Sequence, residues 1–163
     1  MNRCFDLAFK SQGYTYPNPL VGCVIVRGQK IISEGWHKKA GEDHAEVIAI
    51  KKVKEKKELK KSTLYVNLEP CCHKGKTPPC TELIIKSGIQ NVVIGCLDPN
   101  INVNGKGVKE LIKNGINVLV GVCMEKAMEL NKRFFCFHEK KKTIYSFKMG
   151  RIQRWLYKPK KKY

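Results

Sequence analysis

The chain has 163 residues, of which 42% are hydrophobic and 28% charged, as in ordinary globular proteins. This length favours one domain with a single core. No apolar run approaches the roughly 18 to 20 residues needed to span a bilayer, and the first residues lack the apolar stretch of a secretory signal. We therefore expect a cytoplasmic protein with no membrane partner.

The net charge of +18 raises nucleic acid as a partner, but the distribution of the charge argues against a specific nucleic-acid groove. Only five of the 32 basic residues are arginine, which is preferred for bidentate phosphate and base contacts. Ten of the basic residues lie in residues 140–163. We predict a solvated lysine surface and no nucleic-acid partner.

Predicted helices and strands alternate along the chain after an opening hairpin. The spacing of apolar residues predicts helices over 2–12, 44–57, 81–86, 107–113 and 124–137. Runs rich in β-branched residues predict strands over 21–26, 30–34, 63–68, 92–97 and 116–120. The segment Pro17-Asn18-Pro19 predicts a rigid loop before the first strand, because each proline biases its predecessor toward extended geometry. This order favours an α/β sandwich with a mixed sheet.

Eight cysteines in a chain without an export signal point to metal binding rather than to a disulfide framework. Five of them lie singly among apolar neighbours, where cysteine acts as a small core residue: Cys4, Cys23, Cys96, Cys123 and Cys136. Of the others, Cys71 follows a strand and Cys80 precedes a helix, while His44 begins a helix. One imidazole and two thiolates supply the three ligands of a catalytic zinc site, whose fourth position stays open.

Glu46 lies two residues after His44, too close to be an easy fourth ligand and near enough to reach a water molecule at the metal. Its predicted role is that of a proton shuttle between this water and a departing amine. A His-x-Glu motif followed by Pro-Cys-x-x-Cys, in which two residues separate the cysteines, is the pattern of zinc-dependent nucleobase deaminases. This chain departs from the pattern in one place, since eight residues instead of two separate Cys71 from Cys80.

The segment between the two cysteines, residues 72–79, contains two lysines, a histidine and a glycine. Such a loop can approach an anionic group closely, with Lys76 as a point charge and Thr77 as a hydroxyl donor. The segment therefore predicts a phosphorylated small substrate.

Longer motifs extend over roughly residues 3–148. They are Pro17-Asn18-Pro19-Leu20-Val21-Gly22, His37, Ala40-Gly41-Glu42-Asp43-His44-Ala45-Glu46, the run EPCCHKGKTPPC at 69–80, Asp98-Pro99-Asn100, Gly105-Lys106-Gly107 and Leu130-Asn131-Lys132-Arg133-Phe134. Together these motifs resemble the deaminase domain of the bifunctional deaminase/reductase of riboflavin biosynthesis, which is cytidine-deaminase-like.

The resemblance implies a three-layer α-β-α sandwich with a mixed central sheet. It also implies hydrolytic deamination of diaminohydroxyphosphoribosylaminopyrimidine to aminophosphoribosylaminopyrimidinedione plus ammonia. Asn18 and His37 would contact the pyrimidine, and Lys76 the ribose phosphate. Ile101 stands where the family usually has proline and Cys72 where it usually has serine, and neither change touches the proton or metal chemistry.

The resemblance changes near the C-terminus. Residues 143–150 resemble the opening strand of the family's reductase domain, whereas residues 151–163 are basic and unpatterned. We therefore predict a deaminase domain over residues 1–142, and a truncated reductase start plus a basic tail over residues 143–163. The reductase would then be a separate chain, and a homo-oligomer is consistent with the family's tendency to associate.

Three alternatives stay open from the sequence. The zinc site could be structural, with Cys72 or His73 as the fourth ligand, although Glu46 would then have no role. The positive charge favours a deaminase acting on a tRNA or nucleotide base, but no aromatic residues interleave with the lysine runs. The third alternative is a zinc-stabilised RNA-binding module with the basic tail as an arm.

Overall fold

A five-stranded mixed sheet forms the centre of the computed structural model, which describes residues 1–73, 78–101 and 103–140 and the backbone of 142–149 and 152–159. The strands lie in the order β2-β1-β3-β4-β5. β1 pairs antiparallel with β2 and β3, whereas β3, β4 and β5 are parallel. Their bounds are β1 Gly22–Arg27, β2 Lys30–Trp36, β3 Thr63–Leu68, β4 Asn91–Cys96 and β5 Asn117–Val120.

Helices cover both faces of the sheet. They are α1 Asn2–Phe9, α2 Ala45–Lys52, α3 Cys80–Ser87, α4 Lys106–Lys113, α5 Met124–Leu130 and α6 Lys132–Lys140, with a 3-10 helix at Lys56–Lys61. Apolar side chains of α2, α3 and α4 pack on one face, and those of α1, α5 and α6 on the other. Alternate residues of β1 follow this division. Cys23 and Ile25 pack with the residues of α2, α3 and α4, whereas Val24 packs with those of α1. The predicted three-layer α/β sandwich is confirmed.

The connections at one edge of the sheet carry the residues that the sequence analysis singled out. Parallel strands present their carboxyl ends at the same edge, where ligands bind in open α/β sheets. The segment Glu69-Pro70-Cys71 follows β3 and Asp98 follows β4, while α3 begins at Cys80. The topology therefore gathers the two cysteine motifs, which the intervening loop separates in sequence.

Three predicted helices differ from those observed. The helix predicted over 2–12 ends at Phe9 and is followed by turns. The helix predicted over 44–57 ends at Lys52, because Val53 adopts an extended conformation and is buried. The helix predicted over 124–137 is instead two helices, separated at Asn131. Within the described part of the chain, no helix combines the length and the apolar character that crossing a membrane requires.

The last described segments form an antiparallel hairpin of β6 (Lys142–Met149) and β7 (Ile152–Pro159). Residues 151–163 have no clear apolar pattern in sequence, although they include the β-favouring residues Ile152, Trp155 and Tyr157. The division of the chain at residue 142 stays a prediction.

Gly35 of β2 allows α2 to lie directly on the sheet. A Cβ atom at this position would stand 2.3 Å from the carbonyl oxygen of Ala45 and 2.6 Å from the backbone nitrogen of Ala49. Because both contacts are to backbone atoms, no rotation of a side chain could relieve them. The close approach fixes the distance between α2 and the sheet. This helix begins next to His44 and carries Glu46.

We expect Gly35→Ala to lower the free energy of unfolding by about 1–3 kcal/mol, since the added methyl overpacks the interface between β2 and α2. Urea denaturation of the purified protein measures the change. Lys30→Ala, at an exposed position on the same strand, is the control and should stay within about 0.5 kcal/mol of the parent. An unchanged unfolding midpoint for Gly35→Ala would contradict the packing argument.

Candidate active site

His44, Cys71 and Cys80 come together from three separate elements. His44 is the residue that caps the start of α2, Cys80 is the first residue of α3, and Cys71 lies just beyond β3. The Nδ1 atom of His44 lies 3.3 Å from the Sγ atom of Cys80 and 3.5 Å from that of Cys71. One ligand atom from each residue lies within 4.8 Å of the other two.

This donor set fits a divalent metal that accepts nitrogen and sulfur ligands. An imidazole with two thiolates is typical of tetrahedral zinc, and three protein ligands leave the fourth position open. Cys72 and His73, which the sequence offered as fourth ligands, do not belong to this group of potential ligands in the part of the chain that the structure describes. The arrangement therefore resembles a catalytic site more than a closed structural one.

Hydrogen bonds inside the cluster set its protonation state. The bond from the Cys80 thiol, together with that from His44, lowers the pKa of Cys71 to about 4. The bond to Cys71 raises the pKa of His44 to about 9, and the bond to Cys71 together with burial raises the pKa of Cys80. Without a metal, these shifts favour a thiolate at Cys71 and a proton on each of Cys80 and His44.

Glu46 lies beside this cluster in the first turn of α2. Its side chain is buried, and burial is the main cause that raises the pKa of its carboxyl group. The Cys80 side chain lies close enough to the carboxyl group to lower its pKa, which opposes the effect of burial. A buried carboxyl group in contact with a ligand of a metal site is well suited to hold and release a proton.

His37 and Asn18 form a hydrogen-bonded pair next to the cluster. The His37 ring is buried and meets the His44 ring edge-on, with 5.4 Å between the ring centroids. Its Nδ1 atom lies 3.2 Å from the carbonyl oxygen of Asp43, which can only accept, so Nδ1 carries the proton. Nε2 then accepts from Nδ2 of Asn18 at 3.0 Å. Burial lowers the pKa of His37, in agreement with this neutral ring.

Lys76 and Thr77, the predicted contacts to an anionic group, lie outside the described residues. The described ends of their segment are next to Cys71 and Cys80 in sequence. Six of the eight predicted site residues are therefore located, and the contacts given above link all six in one neighbourhood.

Glu69 has a structural role that the sequence analysis did not assign. Its buried carboxylate accepts hydrogen bonds from the backbone N–H groups of Asp98 at 3.2 Å, Gly105 at 2.9 Å and Val108 at 3.1 Å. These bonds tie the end of β3, next to Cys71, to the loop after β4 and to the start of α4. A Cβ at Gly107 would stand 2.3 Å from the carbonyl oxygen of Pro70.

The motif Gly105-Lys106-Gly107 was the sequence signal that could have revealed this anchor. A glycine-rich helix start offers N–H groups and the positive end of the helix dipole to an anion. Here the carboxylate of Glu69 takes that place.

The chain belongs to the cytidine and deoxycytidylate deaminase family: its residues 1–96 match the family model described as the cytidine and deoxycytidylate deaminase zinc-binding region. The residues from His44 to Cys80 lie inside this match, and so do Asn18 and His37.

Within this family the chain is similar to deaminases of riboflavin biosynthesis, which confirms the resemblance drawn from the motifs. It is 53% identical over 135 residues to the diaminohydroxyphosphoribosylamino-pyrimidine deaminase of Buchnera aphidicola subsp. Schizaphis graminum, covering 83% of this chain and 90% of that protein. It is 54% identical over 137 residues to the riboflavin biosynthesis protein RibD of Aquifex aeolicus, covering 84% of this chain and 38% of that protein.

A solved structure gives the same picture. The diaminohydroxyphosphoribosylaminopyrimidine deaminase/5-amino-6-(5-phosphoribosylamino)uracil reductase of Thermotoga maritima superimposes with a TM-score of 0.82 and 47% identity, covering 87% of this chain and 41% of that one. The chain thus spans about two fifths of the RibD-type relatives and nine tenths of the Buchnera deaminase.

Zinc binding near pH 7.5 is expected to release about two protons, because His44 and Cys80 must each lose one while Cys71 is already a thiolate. Affinity for zinc should rise with pH through the range near 9 in which free His44 deprotonates, and it should rise further above that range, because the bond to Cys71 and burial raise the pKa of Cys80 as well. Isothermal titration calorimetry in buffers of different ionisation enthalpy measures the proton count. Cys123→Ser, which changes an exposed thiol outside the cluster, should leave it unchanged. Release of about three protons would contradict the Cys71 thiolate.

Proposed function

We propose that this chain catalyses the hydrolytic deamination of diaminohydroxyphosphoribosylaminopyrimidine, which yields aminophosphoribosylaminopyrimidinedione and ammonia in riboflavin biosynthesis. The observation that carries the proposal is the meeting of His44, Cys71 and Cys80 with the buried carboxyl group of Glu46 beside them. Support for the substrate comes from the Buchnera deaminase, which matches the chain over nine tenths of its own length.

In this proposal Nδ1 of His44 and the Sγ atoms of Cys71 and Cys80 hold one zinc ion. When bound, zinc supplies Lewis-acid activation of a water molecule near neutral pH. Both helices that begin at the ligands, α2 and α3, direct the positive ends of their dipoles toward the site, which favours the thiolate form of the cysteines.

Glu46 acts as the proton shuttle. Its carboxylate takes a proton from the attacking water, and the oxygen of this water forms a bond to the amino-bearing carbon of the pyrimidine. The carboxyl group then gives a proton to the departing amine, which leaves as ammonia when its bond to this carbon breaks. Because the group is buried, bulk water does not compete for the proton during the transfer.

Asn18 and His37 bind the pyrimidine, and Lys76 and Thr77 bind the phosphate. Two observations support the roles of Asn18 and His37. The His37 ring contacts the His44 ring, and a hydrogen bond to His37 holds the Asn18 side chain beside it. Support for the second pair is the sequence of its loop, in which a lysine charge and a hydroxyl lie between the two cysteine ligands.

Further parts of the proposal concern the chain as a whole. We propose a deaminase domain over residues 1–142 and the remnant of a reductase start with a basic tail over 143–163. The matched region covers 38% of the RibD protein of Aquifex aeolicus, and a reductase chain that uses the product stays a prediction. A homo-oligomer and a cytoplasmic location stay predictions.

Ammonia release by the zinc-loaded protein tests the proposed substrate. We expect release from diaminohydroxyphosphoribosylaminopyrimidine and none from cytidine, deoxycytidylate or a tRNA anticodon stem under the same conditions. Activity on the anticodon stem alone would replace the proposal by base deamination in RNA. Inactivity on all four substrates, with full zinc occupancy, would contradict the proposal.

Glu46→Gln is expected to keep bound zinc and to lower kcat by about 10²–10⁴-fold, since the amide cannot transfer the proton. The matched control is Glu42→Gln, a change of the same kind at an exposed site four residues earlier, which should keep the parent activity. Zinc content by atomic absorption and ammonia release are measured on the same samples. Parent-like turnover of Glu46→Gln would remove Glu46 from the proton-transfer step.

A further inference from the structure

The segment that carries Asn18 has few ways to be held in place. Residues 17–21 lie in neither a helix nor a strand. Pro17 and Pro19 have no backbone N–H group and cannot join a hydrogen-bonded ladder. The N–H of Asn18 donates to the carbonyl oxygen of Thr15, only three residues earlier in the chain. The next N–H group along the chain, that of Leu20, is therefore the first available anchor to the rest of the protein.

The side-chain amide of Asn131 forms hydrogen bonds with both backbone groups of Leu20. Its Oδ1 accepts from the N–H of Leu20 at 2.8 Å, and its Nδ2 donates to the carbonyl oxygen of Leu20 at 2.9 Å. The amide thus satisfies the backbone of Leu20 as a neighbouring strand would. Asn67 adds a second donor to the same carbonyl oxygen at 3.0 Å and accepts from the N–H of Gly22 at 2.7 Å.

Asn131 is itself rigidly placed. It lies between α5 and α6 and is only 5% exposed. Its N–H donates to the carbonyl oxygen of Met128, and its own carbonyl oxygen accepts from the N–H of Phe135. Both helices therefore fix the backbone of Asn131, so its side-chain amide serves as a fixed point for Leu20.

Residues on both sides of Leu20 form hydrogen bonds with His37. Two residues earlier, Asn18 donates to Nε2 of His37. One residue later, the carbonyl oxygen of Val21 accepts from the backbone N–H of His37 at 2.9 Å. The segment and His37 are thus held to each other, while Asn131 and Asn67 hold the segment to the body of the protein.

We infer that Asn131 is a positioning residue for substrate binding, which acts through Leu20 on Asn18. The inference rests on the proposed function, since Asn18 is there a contact to the pyrimidine. Asn131 lies beyond residues 1–96, the part that matches the zinc-binding region of the family. The segment between α5 and α6 therefore contributes to substrate recognition although it supplies no metal ligand.

A double-mutant cycle between Asn131 and Asn18 tests this inference. Asn131→Ala should lower kcat/KM for diaminohydroxyphosphoribosylaminopyrimidine by about 10–100-fold, as expected for a misplacement of about 1 Å, while zinc content stays at the parent value. In an Asn18→Ala background, Asn131→Ala should lower kcat/KM by less than about threefold, because both substitutions remove the same contribution to substrate binding. Independent, additive losses would overturn the inference, and so would a parent-like kcat/KM for Asn131→Ala.

Two further variants separate positioning from a general loss of stability. Asn131→Asp keeps the oxygen that accepts from Leu20 and loses the N–H that donates to its carbonyl group, so it carries the test if Asn131→Ala does not fold. It should also reduce kcat/KM and show the same coupling to Asn18→Ala. Asn114→Ala removes an exposed asparagine after α4 and should leave kcat/KM unchanged.

A measurement without substrate distinguishes failure of the inference from failure of the proposed function. Hydrogen exchange followed by ¹⁵N NMR should show the Leu20 amide at least about tenfold less protected in Asn131→Ala, with a shifted Asn18 side-chain amide signal. Unchanged protection of Leu20 would overturn the anchoring role whatever the substrate is. If the parent protein instead releases no ammonia while Leu20 loses protection in the variant, the proposed function fails and the anchor stands.

Discussion

One nitrogen and two sulfur atoms from separate elements have to stay within 4.8 Å of one another at a single edge of the sheet. Much of the surrounding structure serves this constraint. Two helices start at the ligands, so their dipoles stabilise negative charge where the thiolates gather. Gly35 removes the Cβ that would push α2, and with it His44, away from β2. The bonds of Glu69 hold the chain next to Cys71 from the other side.

The carboxylate of Glu69 shows how the same chemistry can serve structure or ligand binding. The start of α4 has the glycine-rich sequence of an anion-binding site. The group that binds there is the carboxylate of Glu69, a side chain of the protein itself. Because the charge is built in, the loop after β4 needs no external phosphate to adopt its conformation. This arrangement leaves recognition of a phosphorylated substrate to another segment, which is the role that we propose for residues 72–79.

The sequence predicted that His44, Cys71 and Cys80 come together, that Glu46 lies beside them, and that the chain forms a layered sandwich, because each has a local signature. His44 and Glu46 are two residues apart, and apolar periodicity marks each helix and strand. The break at Asn131 and its bonds to Leu20 have no such signature, since the partners are 111 residues apart in sequence. The motif around Asn131 supported the resemblance, yet only the three-dimensional structure gives a physical reason for an asparagine there. Likewise, Glu69 stands directly before the Pro-Cys motif in sequence, and only the three-dimensional structure shows its three N–H partners.

The two sides of the candidate site differ in how they respond to pH. On the metal side, charges on Cys71, Cys80 and His44 depend on one another and change when a metal enters. On the substrate side, the framework consists of asparagine amides and a neutral His37, whose tautomer is fixed by the carbonyl oxygen of Asp43. Amide hydrogen bonds do not titrate, so the segment around Asn18 would keep its geometry during the proton transfer that we propose for Glu46. In the proposed mechanism, proton transfer and substrate positioning therefore depend on separate groups, of which only the first set titrates.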